Sequence, residues 1–219
     1  MSRILPILFN TEMVRAIMDG RKTVTRRALK HPFEVHPNGF ITKPKGNERL
    51  CPYEPPYQLG DILYVRETWA FLPCVECTRE GTDCGRTCVT YEDRDSVSDG
   101  CFVYRADHPH PEHVRWSPSI HMSKAAARIR LKVTDVRVKR LQEMKPEDIR
   151  KEGMHLTITP DECKSQYDRI GAIHFYEEAR REFSKLWNST IKKSDRVSYG
   201  WDANPWVWVI EFELCKLQI

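Results

Sequence analysis

The densest set of reactive side chains is Asp19-Gly20-Arg21-Lys22-Thr23-Val24-Thr25-Arg26-Arg27, which gathers four cations and two hydroxyls in one short segment. Such cations can hold an anion, and the hydroxyls can donate or accept hydrogen bonds. In extended chain, Lys22, Val24 and Arg26 point one way and Arg21, Thr23, Thr25 and Arg27 the other, so Lys22 and Thr25 converge only through a kink. The plain alternative is a solvated basic turn. A second constellation, Cys74-x2-Cys77-x6-Cys84-x3-Cys88, offers four thiols on a Gly-containing stretch. Converging at about 2.3 Å, they suit a structural, tetrahedral zinc ion. An insert this polar has few other ways to build a core. Disulfides or unligated thiols are the alternatives, and His108, His110 and His113 are nearby candidates to replace a cysteine.

A third signal is positive charge along one strand. Arg128, Arg130 and Lys132 share a face, with Arg137, Lys139 and Arg140 following, a stripe that can contact phosphates or simply be solvated. Tyr64, Trp69, Tyr104 and Trp116 can stack on an unpaired base or pack a core. Glu67 faces the same cleft or forms a salt bridge with Arg66 or Arg26, and His121 is a proton carrier or a packing histidine.

The elements that must position these groups follow from periodicity and end signals. Ile4 to Phe9 reads as a buried strand. Asn10 or Thr11 caps a short helix carrying Met13, Val14, Ile17 and Met18, ended by Gly20. Residues 30–56, rich in Pro, Gly and Asn, read as an irregular surface segment. Gly60-Asp61 turns the chain into the strand Ile62 to Glu67. Residues 70–117 break the pattern as a Cys-rich insert with Phe102-Val103-Tyr104 as its only convincing strand. Ile129, Leu131 and Val133 alternate with basic residues, then the apolar phase jumps to Val136 and Val138, which predicts a bulge at Thr134-Asp135. Pro146 to Glu152 is a short helix with Gly153 after its end. A second helix carries Tyr176, Ala179, Phe183, Leu186 and Trp187, and Trp206 to Leu214 closes the chain as a strand.

Composition limits the classes. The 219 residues suit one elaborated domain or a small domain with an insert. A net charge of +4 allows a polyanionic partner without demanding one. At 40% hydrophobic residues, disordered, collagen-like and coiled-coil classes are excluded. The longest apolar run, Trp206 to Ile210, is far short of the roughly 20 residues of a membrane span. With no cleavable leader, the expectation is a cytoplasmic protein without membrane contact, whose thiols stay reduced or bind metal.

The order of motifs carries a further expectation. Gly20-Arg21-Lys22-Thr23-x-Thr25-x-Arg27 follows a short helix, and Gly60-Asp61 opens a Leu63-Tyr64-Val65-Arg66 strand. Val133-Thr134-Asp135-Val136, a helix ending Glu152-Gly153-Met154 and a closing Trp208-Val209-Ile210-Glu211-Phe212 strand come after. In this order, over roughly residues 4–27, 57–69 and 118–215, the chain resembles the ASCH family of the PUA-like superfamily, small β-barrels associated with RNA. Arg66-Glu67-Thr68-Trp69, Trp116 to Met122 and Asn204-Pro205-Trp206 resemble longer, prophage-carried members. The resemblance implies an α+β fold: a PUA-like small β-barrel formed by residues 1–69 and 118–219, with short peripheral helices and residues 70–117 inserted.

One branch of that family removes the acyl group from N4-acetylcytidine, and its catalytic Lys, Thr and Glu fall on Lys22, Thr25 and Glu152. On that reading the Thr25 hydroxyl attacks the amide carbonyl, Lys22 is the base, and Glu152 orients the amine or protonates the leaving nitrogen. Arg21, Arg26, Arg27, Glu67, Arg128 and Arg130 would bind substrate, and RNA or a modified nucleoside would be the partner. Binding of RNA or a nucleotide without catalysis, and protein interaction through the Cys-rich insert, are the competing expectations.

Overall fold

The computed structural model describes residues 2–36, 40–45, 49–74, 89–93, 96–107, 114–154 and 165–215. Within them the protein is α+β, with several small sheets and few helices. Strand β1 (Ile4–Leu8) leads into helix α1 (Thr11–Met18), whose start is capped by the Asn10 side chain accepting a hydrogen bond from the Met13 N–H at 2.8 Å. Gly20, at φ 72°, ends that helix in the left-handed conformation and turns the chain into β2 (Val24–Ala28).

Three short strands follow, β3 (Glu34–Val35), β4 (Ile41–Lys45) and β5 (Arg49–Pro52), hydrogen-bonded in that order. The segment expected to be irregular is therefore a small antiparallel sheet. Its strands are too short, and too interrupted by Pro44 and Pro52, to show an alternating pattern.

Next come β6 (Ile62–Arg66), β7 (Trp69–Pro73), β8 (Val89–Asp93), β9 (Ser96–Tyr104), β10 (Arg130–Arg140) and β11 (Trp206–Leu214). Between the last two lie helices α2 (Pro146–Lys151), α3 (Gln166–Thr190) and α4 (Arg196–Tyr199). A five-stranded sheet runs β1-β6-β10-β11-β2, so β1 and β2 are its edges among the described residues. The edge position corrects the reading of β1 as a buried strand: Ile7 is covered, but Ile4 and Leu8 are nearly half exposed. The phase jump at Thr134-Asp135 is a register shift in the β10–β11 ladder between Val133 and Asp135. Val207 to Ile210, in a strand with neighbours on both sides, are all buried, which explains the unbroken apolar run there.

The chain divides into two compact units. One comprises Met1–Leu5, Ala16–Ile62 and Leu131–Ile219, the other Pro6–Arg15 and Leu63–Arg130. In the first, Val24, Val207 and Val209 on one sheet face pack with Ile149 of α2 and Ala179, Phe183 and Trp187 of α3. In the second, strands pair in the order β7-β9-β8, which exceeds the single strand expected from the sequence. Trp69, Phe71, Tyr91 and Phe102 from its three strands meet with ring centroids 5.1–6.0 Å apart. Among the described residues, no helix is long and apolar enough to cross a membrane.

Candidate functional site

The turn after α1 is tied down by its own backbone. The Lys22 N–H donates to the Ala16 carbonyl at 2.9 Å and the Thr23 N–H to the Lys151 carbonyl at 2.9 Å. Lys22 and Glu152 thus form an isolated antiparallel bridge although 130 residues separate them. Gly153 makes this approach possible. Its φ is 91°, and a Cβ there would sit 2.9 Å from the Ala16 Cβ and 3.1 Å from the Lys22 Cβ.

The bridge delivers a buried charge network. Lys22, only 2% exposed, donates from Nζ to Glu152 Oε2 at 2.6 Å, to the Val24 carbonyl at 2.8 Å and to the Glu152 carbonyl at 3.1 Å. Arg26 Nη1 takes the other carboxylate oxygen, Glu152 Oε1, at 2.7 Å, and its Nη2 lies 3.5 Å from Asp148 Oδ1. Asp148 in turn accepts from the Lys145 N–H at the start of α2.

These surroundings set the proton affinities. Burial lowers the Lys22 pKa, opposed by Glu152 and helped by the Arg27 and Arg26 charges. For Glu152, burial raises the pKa, but Lys22 and Arg26 outweigh it and hold the carboxyl below the usual glutamate value. Of the cations there, Lys22 carries a proton that can leave, whereas a guanidinium keeps its own.

Thr25 and Arg27 occupy the opposite face of β2 from Arg26. The β2–β11 register is regular, with Thr25 opposite Ile210 and Arg27 opposite Trp208. Arg27 Nη1 donates to Thr25 Oγ1 at 2.8 Å and to the Arg26 carbonyl at 3.0 Å. Burial lowers the Arg27 pKa, while the Tyr57 and Glu152 charges raise it, so this guanidinium is electrostatically coupled to the carboxylate that holds Lys22. Lys22, Arg26 and Glu152 are thus in direct contact, while Thr25 bonds to Arg27 on the other face of β2.

The other expected site residues fall elsewhere. Arg21 pairs with Asp19 at 2.8 Å and donates to the Gly153 carbonyl at 2.8 Å, buttressing the turn. Glu67 and Arg128 belong to the second unit, where Arg128 donates to both Glu67 oxygens, at 2.9 and 3.2 Å, and to both Asp107 oxygens, at 2.5 and 3.0 Å. The Arg128 guanidinium also lies 3.9 Å from the Tyr104 ring centroid. Arg130 is exposed on β10.

Several residues of the basic stripe have acidic or aromatic neighbours. In the first unit Lys132 lies 3.7 Å from Glu213, Arg137 pairs with Asp135 and Glu211, and Arg140 lies over Trp206 at 4.4 Å. The acids come from β11 and from the bulge, where alternation along β10 alone does not reveal them.

Of the thiols read as zinc ligands, Cys74 is exposed, and Cys77, Cys84 and Cys88 lie outside the described residues, as do His108, His110 and His113. Among the described residues, no group of three or more potential ligands converges. Sequence reasoning missed Asp148, which reads as an ordinary helix-start acid, and Tyr53 and Tyr57, which lie beyond any recognisable pattern. No protein-family model, curated protein or solved structure matches the chain.

Proposed function

We propose that residues 1–69 and 118–219 form an ASCH-type, PUA-like domain that takes a modified cytidine at Lys22, Thr25 and Glu152 and hydrolyses its N4-acyl amide. The observation that carries this reading is the buried Lys22 ammonium, gripped by Glu152 and crowded by two guanidinium groups. Burying such a cluster seldom adds stability, which favours a role in chemistry. The step requires substrate binding to bring the Lys22 amine, held by Val24 and Glu152 in the free protein, to the Thr25 hydroxyl; the neutral amine then takes the hydroxyl proton as Thr25 Oγ bonds to the acyl carbon. The resulting ammonium returns a proton to N4 as the carbon–nitrogen bond breaks, releasing cytidine and leaving an acyl ester on Thr25. Water then cleaves that ester to the carboxylic acid and restores the hydroxyl. Glu152 keeps the amine in place, and Arg27, already bonded to Thr25 Oγ1, steadies the developing negative oxygen.

A binding-only role is the second reading, favoured by the three acceptors that already engage Lys22 Nζ. One assay separates the two. The protein is incubated with N4-acetylcytidine and the release of cytidine followed by chromatography, with Lys22→Ala as control. Turnover that falls at least a hundredfold in the variant supports hydrolysis. Saturable nucleoside binding without turnover leaves recognition alone, and neither result removes both. A structural zinc ion held by Cys74, Cys77, Cys84 and Cys88 is part of the same proposal, supported by their spacing. About one zinc per purified chain is expected, and a metal-free protein would eliminate it.

A further inference from the structure

The face of β2 that carries Thr25 and Arg27 continues across the ladder onto Trp208 and Ile210, their register partners on β11. The residues flanking them, Val24, Val207 and Val209, point the other way into the core against α2 and α3. What stands beside Trp208 comes from the segment with no legible sequence pattern. The Tyr53 ring meets Trp208 edge-on, with centroids 6.0 Å apart and planes at 84°, and Phe33 lies 6.2 Å beyond it. Tyr53 is held at both ends, its N–H donating to the Ile41 carbonyl at 2.8 Å and its hydroxyl accepting from the Lys30 N–H at 3.3 Å. Tyr57, from the same segment, is coupled to Arg27. Both tyrosines and Phe33 are half-buried.

Resting on the function proposed above, we infer that Tyr53, backed by Trp208 and Phe33, is the specificity-determining ring of the site. It stacks on the flat face of the substrate, so the acylated nitrogen must belong to a planar aromatic heterocycle. A short aliphatic amide offers nothing to stack and is excluded by weak binding, although the reacting groups are identical. Aromatic rings are suited to this task because every base has a π-face, and because an anchored tyrosine loses little freedom on binding.

The test compares Tyr53→Leu, which keeps apolar volume but removes the ring, with Tyr53→Phe, which keeps the ring. Substrates are N4-acetylcytidine and an N-acetylated alkylamine, with nucleoside binding followed by tryptophan fluorescence and folding by circular dichroism. The expected result is a KM or Kd for the nucleoside raised roughly tenfold or more in Tyr53→Leu, with kcat within twofold, and near-normal values in Tyr53→Phe. The alkyl amide should be a poor substrate for all three proteins. Equal nucleoside binding by a folded Tyr53→Leu would overturn the inference while leaving the hydrolase intact. Equal loss in Tyr53→Leu and Tyr53→Phe would also overturn it, since the hydroxyl would then be what matters. A wild-type protein that neither binds nor cleaves the nucleoside would overturn the inference together with the function on which it rests.

Discussion

In the first unit the buried Glu152 carboxylate holds an ammonium and a guanidinium, whereas in the second the buried Glu67 carboxylate holds one guanidinium, that of Arg128. Both are carboxylate–cation clusters, yet their chemistry differs. Arg128 spends its donors on Glu67 and Asp107 and rests on Tyr104, and it has no proton to give up. It is a fixed latch. Lys22 is held as firmly, but by a group whose proton can leave. Burial raises the pKa of both Glu67 and Glu152, but their net shifts are opposite. Desolvation wins at Glu67 and raises its pKa despite Arg128, while at Glu152 two cations win and lower it. The number and kind of cations around a buried acid, more than its burial, decide whether the cluster can move a proton.

The largest test of this contrast is Glu152→Gln. It strands Lys22 and Arg26 without their carboxylate, and should cost roughly 3–5 kcal/mol in denaturant unfolding. A loss below about 1 kcal/mol would mean that the cluster is far better solvated than its burial implies. Arg128→Ala should cost less, about 1–3 kcal/mol, because part of the guanidinium already faces solvent while Glu67 loses its bidentate partner.

The pH dependence should sharpen the comparison through opposite signs. Glu152 has its folded pKa lowered, so its stabilisation is present above the ordinary value, about 4.5, and disappears as pH falls through the lower folded one. Glu67 has its folded pKa raised, so the folded protein binds the proton more readily and gains stability as pH falls through the window just above 4.5. On acidification, the stability difference between wild type and Glu152→Gln should shrink, while that between wild type and Glu67→Gln moves in favour of wild type. Differences that drift in the same direction would break the contrast. The smallest effect belongs to Lys132→Ala, whose exposed 3.7 Å contact with Glu213 should be worth less than about 0.5 kcal/mol.

Much of the frame was legible because local signals recorded it. Asn10 and Gly20 bracket α1, Pro146 and Gly153 bracket α2, and the phase jump at Thr134-Asp135 announces the bulge. The small sheet of residues 34–52 was not legible, since two- to five-residue strands carry too few side chains to establish a period. Nor were the acids that pair with Lys132 and Arg137, because cross-strand partners depend on register and a single strand holds no record of its neighbour.

The amino-acid sequence by itself determined the reactive side chains, the basic Lys22–Arg27 segment and the glycines that end the two helices beside it, because residue type and backbone preference are local properties. Tertiary structure alone decided that Lys22 meets Glu152 across 130 residues, that Thr25 and Arg26 part company on opposite faces of β2, and that Tyr53 stands beside Trp208. Each depends on chain closure and strand register, which arise when distant segments pack together and exclude water.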